Sequence, residues 1–252
     1  MEWRESNGIR WLQARLDGAA AAFSTRLGGV SEAPFDSLNL GLLTDDESTA
    51  VTENRRRLAA ALGFEPERVA FARQVHGTRL LEHAGSLACS FPLSSKEKEQ
   101  AKGPPEADGH VVREPGLGAL VFTAECLPVA VAGPKGMAML HAGWRGLVGG
   151  ILAAGAEAVE ATSAAIGPGI GPCCYEVGEE VLESFGGLGA GVARGRMLDL
   201  VEVARRQLAR AGVERIESAG LCTSCEAELF FSHRRDGGRT GRQGGVGWVE
   251  AR

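Results

Sequence analysis

The chain has 252 residues, 44% of them hydrophobic, and a formal net charge of −5. This length supports a sizeable core without a stabilising metal or disulfide, and the interspersed charges provide no extended basic surface for nucleic acid. The sequence shows no apolar signal core and no run long enough to span a membrane, so we expect a soluble cytoplasmic protein without a membrane partner. In that reducing compartment its six cysteines are expected to be thiols, metal ligands or nucleophiles rather than disulfides.

The first half of the chain predicts short strands around one helix. Strands are predicted at 8–16, 18–26, 68–77 and 78–85, and the last two are expected to pair with each other. Residues 45–63 predict a helix, because acidic residues lie at its start, arginines lie late and a glycine ends the pattern. Residues 90–106 are polar and contain proline and glycine, which indicates a mobile surface loop.

The second half alternates irregularly between strands and helices. Strands are predicted at 109–112, 118–124, 127–133 and 136–142, at the start of 164–178, and at 215–220, 227–232 and 244–251. Helices are predicted at 145–163, 179–185 and 197–212. This order favours a single domain over residues 1–252, of the α/β class and α+β type, with mixed β-sheets layered with flanking helices.

Three residues able to bind a metal or act in catalysis terminate or interrupt predicted strands: His76, Cys126 and His141. Two imidazoles and a thiolate suit zinc and leave a fourth position for water or substrate. Their separations along the chain, 50 and then 15 residues, match no short zinc pattern. A buried structural cysteine with unrelated histidines stays open. So does a metal-free arrangement in which Cys126 is the nucleophile and a histidine is its base.

Arginines beside glycines are candidate anion contacts. Glycine neighbours let backbone amides approach a ligand, and the guanidinium groups of Arg26 and Arg145 can each grip a phosphate or carboxylate. Arg145 also lies near a predicted helix start, where anions are favoured, so we favour a functional role for it. For Arg26 a structural role in a glycine turn stays open. Arg234 lies in the segment 228–242, which is either a substrate-facing loop or a solvated basic tail.

The remaining cysteine motifs lie in turn-like segments. Cys173 and Cys174 belong to GPGIGPCCYEVG, residues 167–178, which resembles an anion cradle but is neither a P-loop nor a dinucleotide fingerprint. A disulfide between adjacent cysteines is strained, so we expect thiols there, one of them facing the site. Cys222 and Cys225 have the CxxC spacing, but a second CxxC is absent from the sequence. We therefore do not favour a structural zinc ion shared by these four cysteines.

Seven motifs in a fixed order resemble one known family. They are STRLGGVS, RQVHG, EADGHV, TAECLPV, HAGWRGL, GPGIGPCCYEVG and FFSHRRDGGRTGR, spread from residue 24 towards the C-terminus. The chain is similar to the bacterial YfiH/YlmD family of laccase-domain proteins, which is related to FAMIN. The resemblance implies a zinc site of His76, Cys126 and His141 in a single domain with a cysteine-hydrolase-like fold. Glu125 stands where the family usually has aspartate, so a carboxylate is kept on a longer side chain.

The resemblance also implies an activity. The family is described as phosphorolysing adenosine, inosine and methylthioadenosine to the free base and ribose 1-phosphate, and as deaminating adenosine. The implied partners are a purine nucleoside and phosphate, and we expect a monomer or homodimer. The residues that we expect to act in catalysis are His76, Cys126, Glu125 and Asp108. Those that we expect to bind substrate are Arg26, Gln74, Arg145, Cys173 and Arg234.

Each activity sets its own chemical requirement. Phosphorolysis requires a phosphate held against the ribose C1′ and neutralised charge as the base leaves, for which Arg145, Arg26 and residues 167–174 are candidates. Deamination requires a metal-activated water and a carboxylate that moves protons, for which Glu125 and Asp108 are candidates. The nucleobase-deaminase signature is absent from the sequence, so a deaminase site here would be convergent.

Three other functions stay open. A cysteine amidohydrolase that edits peptidoglycan precursors would use Cys126 as its nucleophile. A copper polyphenol oxidase, an older label of the family, is disfavoured because the chain has five histidines and no His-x-His pair, although a His/Cys/His site also suits copper. A non-enzymatic, metal-dependent binding module would bind nucleosides without turnover.

Overall fold

A computed structural model of the protein describes residues 1–83 and 104–251. In that part of the chain the α-helices are α1 (Ser48–Ala61), α2 (Trp144–Gly149), α3 (Ile151–Val159), α4 (Glu179–Ser184) and α5 (Leu200–Arg210). The strands are β1 (Glu2–Ser6), β2 (Ile9–Leu16), β3 (Ala19–Ser24), β4 (Val69–Ala70), β5 (Leu80–His83), β6 (Gly109–Val112), β7 (Gly118–Thr123), β8 (Leu127–Gly133), β9 (Gly136–Ala142), β10 (Ser163–Ile166), β11 (Ala193–Arg194), β12 (Met197–Leu198), β13 (Arg215–Ser218) and β14 (Gln243–Val249). Residues 90–103 of the predicted surface loop lie outside the described residues. Among the residues that the structure describes, no helix is both long and apolar enough to cross a membrane.

Most strands form two six-stranded sheets of mixed direction. Sheet A has the order β1-β2-β3-β14-β7-β4, and sheet B has the order β13-β10-β8-β9-β6-β5. Neighbouring strands are antiparallel except for three parallel pairs, β4 with β7, β10 with β13 and β5 with β6. The late strand β14 lies between β3 and β7, so it joins the two ends of the chain within sheet A. These mixed sheets confirm the predicted α+β class.

The two sheets pack face to face, and helices cover their outer faces. Side chains alternate along β9, so Met137 and Met139 face sheet A while Ala138 and Leu140 face the helices. Between the sheets the methionines share a core with Phe23 of β3. The outer face of sheet A packs on α1, and the outer face of sheet B packs on α3 and α5. The layers therefore follow the order helix, sheet A, sheet B, helices.

The strand predicted at 68–77 is wrong beyond its first residues, because only β4 joins sheet A. After Ala70 the chain leaves the sheet, and three of its amides bond to a carboxylate side chain instead of to a neighbouring strand. The segment expected to pair with it forms β5, which runs parallel to β6 in sheet B. The two expected partners thus belong to different sheets.

Two other predicted elements are also wrong. The helix predicted at 145–163 divides into α2 and α3 at Gly150, whose φ of 88° is left-handed. The segment 227–232 is not a strand, since the amides of Leu229 and Phe230 bond to the Glu226 carbonyl in a turn. The structure also adds β1, β11 and β12, which the sequence did not predict.

Candidate metal centre and active site

The register of sheet B brings distant residues to one end of the sheet. β8 and β9 are antiparallel, with Pro128 opposite His141, and Cys126 directly precedes β8. The thiol therefore lies beside the imidazole at the end of β9. On the other side of β9, β6 is also antiparallel, which places Asp108, the residue before β6, next to His141.

The three predicted metal ligands meet at this end. One nitrogen or sulfur atom from each of His76, Cys126 and His141 lies within 4.8 Å of the others. The two imidazole rings have centroids 4.9 Å apart at an angle of 70°, and both histidines influence the pKa of the thiol. His141 is buried, Cys126 is half-buried and His76 is exposed. Two nitrogens and one sulfur with an accessible side match the donor set of a catalytic zinc site, so these residues fit a metal ion.

A buried carboxylate holds this centre together. Asp108, with no exposed surface, accepts from His141 Nδ1 and the His76 amide through Oδ1, at 2.8 and 2.9 Å. Its Oδ2 accepts from the amides of Val75 and Gly77 at 3.1 and 2.7 Å. Burial raises the pKa of Asp108, but these donors outweigh burial and lower that pKa below its usual value. Because Nδ1 of His141 is occupied, its Nε2 is the atom left for a metal, as in carboxylate–histidine–metal triads.

The loop after β4 is fixed at both ends. His76 has a left-handed φ of 60°, which costs a residue with a side chain about 1 kcal/mol. The three amide bonds to Asp108 offset that strain, and strained backbone is common at functional sites. Earlier in the loop, the Gln74 side chain pairs with both backbone groups of Phe122, at 2.7 and 2.8 Å. Gln74, a predicted substrate contact, thus anchors the loop to β7.

The thiol and the imidazole change each other's protonation. Burial raises the pKa of Cys126, but His141 and His76 outweigh burial and lower that pKa to about 6. Burial lowers the pKa of His141, but Cys126 and Asp108 outweigh burial and raise that pKa to about 9. At neutral pH the pair is therefore a thiolate beside an imidazolium, and a bound cation would displace the shared proton.

The HAGWRG motif places a small residue against the centre. A Cβ atom at Gly143 would lie 2.8 Å from Cys126 Sγ and 3.2 Å from His76 Cδ2, so a side chain there would displace a ligand. Helix α2 begins directly after this glycine, and the Arg145 guanidinium stacks over the Trp144 ring at 4.3 Å. In this motif Gly143 therefore lies between the candidate ligand His141 and the cationic Arg145, and its lack of a side chain leaves room for the centre.

A cavity of about 490 Å³ is lined by Trp144 and Arg145, which follow His141 in the HAGWRG motif, although none of the three metal-ligand candidates lines it. Its lining includes two aromatic and three arginine side chains, those of Trp144, Tyr175, Arg145, Arg196 and Arg234. Burial and the nearby Cys126 raise the pKa of Tyr175 to about 12, so the phenol lies within electrostatic reach of the thiol. The Arg234 guanidinium lies 5.0 Å from the Tyr175 ring. Aromatic faces and guanidinium groups in one cavity can bind a planar base and an anion.

The Glu125 carboxylate connects the rim of the site. Its Oε1 accepts from the Ser232 hydroxyl at 2.9 Å and from the Arg234 amide at 2.6 Å. The Glu125 carbonyl accepts from the Ile170 amide at 2.8 Å. Glu125 therefore fixes the segment that carries Arg234 next to the metal centre.

Two other predicted substrate contacts are not among the residues that line the cavity. The Arg26 Nε donates to the Asp36 carbonyl at 2.6 Å, and Nη2 lies 3.1 Å from Asp36 Oδ1. The same guanidinium lies 4.6 Å from the Phe231 ring. Cys173 lies among three other cysteines, Cys174, Cys222 and Cys225. Neither Arg26 nor Cys173 is among the described residues that line the cavity, and their contacts favour structural roles.

Tyr175 was not singled out from the sequence, and Arg242 was included only as part of the segment 228–242. Both residues lie near the centre in the structure. Burial lowers the pKa of Arg242, and Cys126 and Glu125 oppose that effect, so its guanidinium lies within electrostatic reach of both. Its Nη1 donates to the carbonyls of Thr240 and Gly241, both at 2.9 Å. The sequence signal that could have found Arg242 is the glycine beside it, the same pattern that identified Arg26 and Arg145 as candidates.

The chain has clear matches among known proteins. A family model described as multi-copper polyphenol oxidoreductase laccase matches residues 20–250. Purine nucleoside phosphorylase YfiH of Escherichia coli (strain K12) is 40% identical over 253 residues, which cover 95% of this chain and 97% of that protein. The chain belongs to the YfiH/YlmD family.

Solved structures of the YfiH/YlmD family have the same fold. YlmD from Geobacillus stearothermophilus superposes with a TM-score of 0.86 at 36% identity, covering 98% of each chain. The hypothetical protein YfiH of Bacillus licheniformis has a TM-score of 0.85 at 31% identity, covering 98% of this chain and 99% of that one. These likenesses confirm the family that the seven sequence motifs indicate.

Proposed function

We propose that this protein is a metal-containing purine nucleoside phosphorylase that acts on adenosine, inosine and methylthioadenosine, with deamination of adenosine as a side activity. One juxtaposition carries the proposal: the HAGWRG motif contains His141 of the candidate metal centre and also Trp144 and Arg145 of a cavity with arginine and aromatic walls. Relatives named purine nucleoside phosphorylase, YfiH and YlmD, support the same reaction class. The implied substrates are a purine nucleoside and inorganic phosphate.

Zinc is the metal that we favour for this centre. Two imidazoles and one thiolate suit zinc, and they also accept copper. A metal ion held there would supply a Lewis acid at the edge of the cavity. Multicopper oxidation is disfavoured because the chain has five histidines, and two of them, His83 and His110, bond to each other instead.

The side chains around the cavity divide the work of phosphorolysis. A phosphate oxygen forms a bond to C1′ of the ribose while the bond from C1′ to the purine nitrogen breaks. Arg145 and Arg234 neutralise the phosphate, and Tyr175 offers a face for the base. The leaving purine takes a proton, which the bound hydrogen phosphate can supply, and we assign its relay to the Glu125 carboxylate, which Ser232 holds in place. Asp108 is a positioning residue, because its oxygens are occupied by four donors.

The direct test separates phosphorolysis from hydrolysis. Purified protein is incubated with adenosine with and without inorganic phosphate, and the products are separated by chromatography. We expect adenine and ribose 1-phosphate only with phosphate, and slower formation of inosine in both samples. Arg145→Gln should raise the KM for phosphate about 10-fold, as loss of one charge-assisted contact does. The exposed Arg15→Gln is the matched control. Adenine release that does not depend on phosphate would reject the proposal.

A second candidate, a cysteine amidohydrolase acting on peptidoglycan precursors, is favoured by one specific arrangement. Cys126 Sγ lies within 4.8 Å of a ring nitrogen of His141, and His141 Nδ1 is hydrogen-bonded to Asp108 Oδ1 at 2.8 Å. This is the nucleophile, base and orienting carboxylate of cysteine hydrolases. If this function is the correct one, amide hydrolysis of a muramyl peptide persists in chelator-treated protein and is lost after alkylation of the Cys126 thiol. The phosphorylase hypothesis predicts that chelation lowers nucleoside turnover and that amide hydrolysis is undetectable.

A further inference from the structure

A second group of potential metal ligands, made of four cysteines, shares no residue with the centre of His76, Cys126 and His141. The members of this four-cysteine cluster are Cys173, Cys174, Cys222 and Cys225, and their sulfur atoms all lie within 4.8 Å of one another. Cys225 Sγ lies 3.4 Å from Cys173 Sγ and 3.6 Å from Cys174 Sγ. Zinc–sulfur bonds of about 2.3 Å place sulfur atoms about 3.8 Å apart in a tetrahedral site. A disulfide requires about 2.05 Å, so the spacing matches ligands of one ion.

The backbone of the cluster is arranged for close approach of two turns. The Gly171 amide donates to Cys222 Sγ at 3.2 Å. A Cβ atom at Gly171 would lie 3.2 Å from Cys222 Cβ and 3.3 Å from Cys173 Sγ, so glycine gives the sulfur atoms their room. The amides of Cys225 and Glu226 bond to the Cys222 carbonyl, which forms the CxxC turn. An N–H donor to sulfur and a tight CxxC turn both favour a bound thiolate.

Burial and charge also suit a closed metal site. Cys174 and Cys222 are half-buried and pack against the core under sheet B, whereas Cys173 and Cys225 are exposed. A divalent ion with four thiolates leaves net negative charge. The Arg235 guanidinium lies at the CxxC turn, where its Nη1 donates to the Thr223 carbonyl at 2.9 Å, and the same guanidinium pairs with Asp236.

We propose that the four-cysteine cluster binds a structural zinc ion. Each thiol that becomes a ligand releases its proton to solvent, and no redox step is involved. The cluster shares no ligand with the centre of His76, Cys126 and His141, so this inference does not depend on the proposed function. The ion would join the turn before Tyr175, a wall of the cavity, to the segment after β13. A parallel bridge between Gly169 and Cys222 already aligns the two segments.

The test is the zinc content of protein purified with reductant and dialysed against a weak chelator. Wild type should retain about two zinc ions per chain, one for each centre, and Cys222→Ser/Cys225→Ser should retain about one. Ser224→Ala, which lies between the two exchanged cysteines, is the matched control and should match wild type. His141→Ala should retain the cluster zinc and lose the other.

The outcomes separate the two centres. If wild type holds about one zinc that the double cysteine variant loses and His141→Ala keeps, the cluster is a zinc site and the first centre is not. Zinc that the cysteine variant fully retains would overturn the proposal, and so would a wild type that holds none. Unfolding without reductant followed by thiol counting gives a separate check, because a disulfide within the cluster would remove two thiols and overturn it as well.

A spectroscopic measurement keeps the proposal testable if the double variant fails to fold. Cobalt replaces zinc in metal-depleted wild type and in Cys126→Ser. A site with four thiolates gives strong sulfur-to-cobalt charge-transfer absorption, which should persist in Cys126→Ser because none of its ligands is changed. Loss of that absorption in Cys126→Ser would show that the signal belongs to the first centre and would reject the cluster site.

Discussion

Gly143 decides whether the metal centre has room to form. Its φ of −79° suits any residue, so the cost of a side chain there is steric rather than conformational. Gly143→Ala places a methyl group 2.8 Å from Cys126 Sγ, which forces the sulfur away from the two imidazoles. We expect metal affinity to fall about 10- to 100-fold with little change in the free energy of unfolding. Competition with a chromogenic chelator measures the affinity. Gly187→Ala, where a methyl group meets no atom within 4 Å, is the control.

Asp108 acts through the residues that it holds. Asp108→Asn loses the charge that accepts three backbone amides and the His141 ring, and its amide group presents a donor to at least one of them. We expect the free energy of unfolding to fall by about 3 kcal/mol and metal affinity to fall about 10-fold or more. Urea unfolding and metal competition measure the two effects. The exposed Asp45→Asn should leave both unchanged. An Asp108→Asn protein with normal stability and affinity would contradict the positioning role.

The residue types in the sequence were enough to predict the candidate metal ligands, but they did not predict the hydrogen bonds around those ligands. Imidazole and thiol side chains at strand ends, together with the family motifs, were enough to select His76, Cys126 and His141. The four bonds of Asp108 were not predictable, because they depend on β6 and β9 being antiparallel neighbours. The same holds for Arg26, whose guanidinium donates to the Asp36 carbonyl, because turn-forming residues between the two do not specify that contact.

At the scale of elements, the pairing of β5 with β6 creates a buried histidine pair. His83 Nε2 and His110 Nδ1 lie 2.9 Å apart, and their rings stack with centroids at 5.2 Å. Burial and the neighbouring His83 lower the pKa of His110 to about 3, although Asp108 opposes them. Burial also lowers the pKa of His83. The sequence placed 78–85 beside 68–77, so this pair was not foreseeable.

The histidine pair makes stability depend on pH. Both histidines have a lower pKa when folded than when unfolded, so the pair imposes no cost above about pH 6.5. As pH falls below that value, the unfolded chain binds protons that folded His110 does not. The free energy of unfolding should then fall by about 1.4 kcal/mol per pH unit for this residue, or about 2 kcal/mol at pH 5.

His110→Asn tests this dependence, because asparagine keeps a polar group near Nδ1 and cannot titrate. The variant should be less stable than wild type at neutral pH, since it removes part of a buried ring. Its free energy of unfolding should fall less steeply between about pH 6.5 and pH 5, by about 2 kcal/mol in total. Urea unfolding at several pH values gives both curves. Parallel curves for variant and wild type would show that His110 does not set the slope.

At the scale of the whole molecule, sheet composition was predictable and sheet order was not. Short strands and helices in irregular order were enough to indicate mixed sheets with flanking helices. The insertion of β14 between β3 and β7 pairs residues that are far apart in the chain, which a pattern of alternating residues does not reveal. The break at Gly150 shows the same limit, since glycine in an apolar helical pattern fits both a continuous and a divided helix.

The contact between the sheets is itself built from glycine and methionine. A Cβ atom at Gly247 of β14 would lie 2.2 Å from Met137 Cε, and Met137 is fully buried, so its terminal methyl has little room to move. Gly247→Ala should therefore lower the free energy of unfolding by about 1–3 kcal/mol through overpacking. Met137→Ala should lower it by about 2–5 kcal/mol through the cavity that it leaves.

The double variant distinguishes a specific contact from general damage. In Gly247→Ala/Met137→Ala the new methyl group enters the space that the methionine vacates, so the combined loss should be smaller than the sum of the single losses by about 0.5–3 kcal/mol. Gly186→Ala, where a methyl group meets no atom within 4 Å, is the control. Its loss of stability should add to that of Met137→Ala when the two substitutions are combined. Denaturant unfolding of wild type, the three single variants and the two double variants completes both cycles. Additive losses in the Gly247 cycle would mean that this glycine does not make room for Met137, and that the approach of the two sheets is set elsewhere along β14.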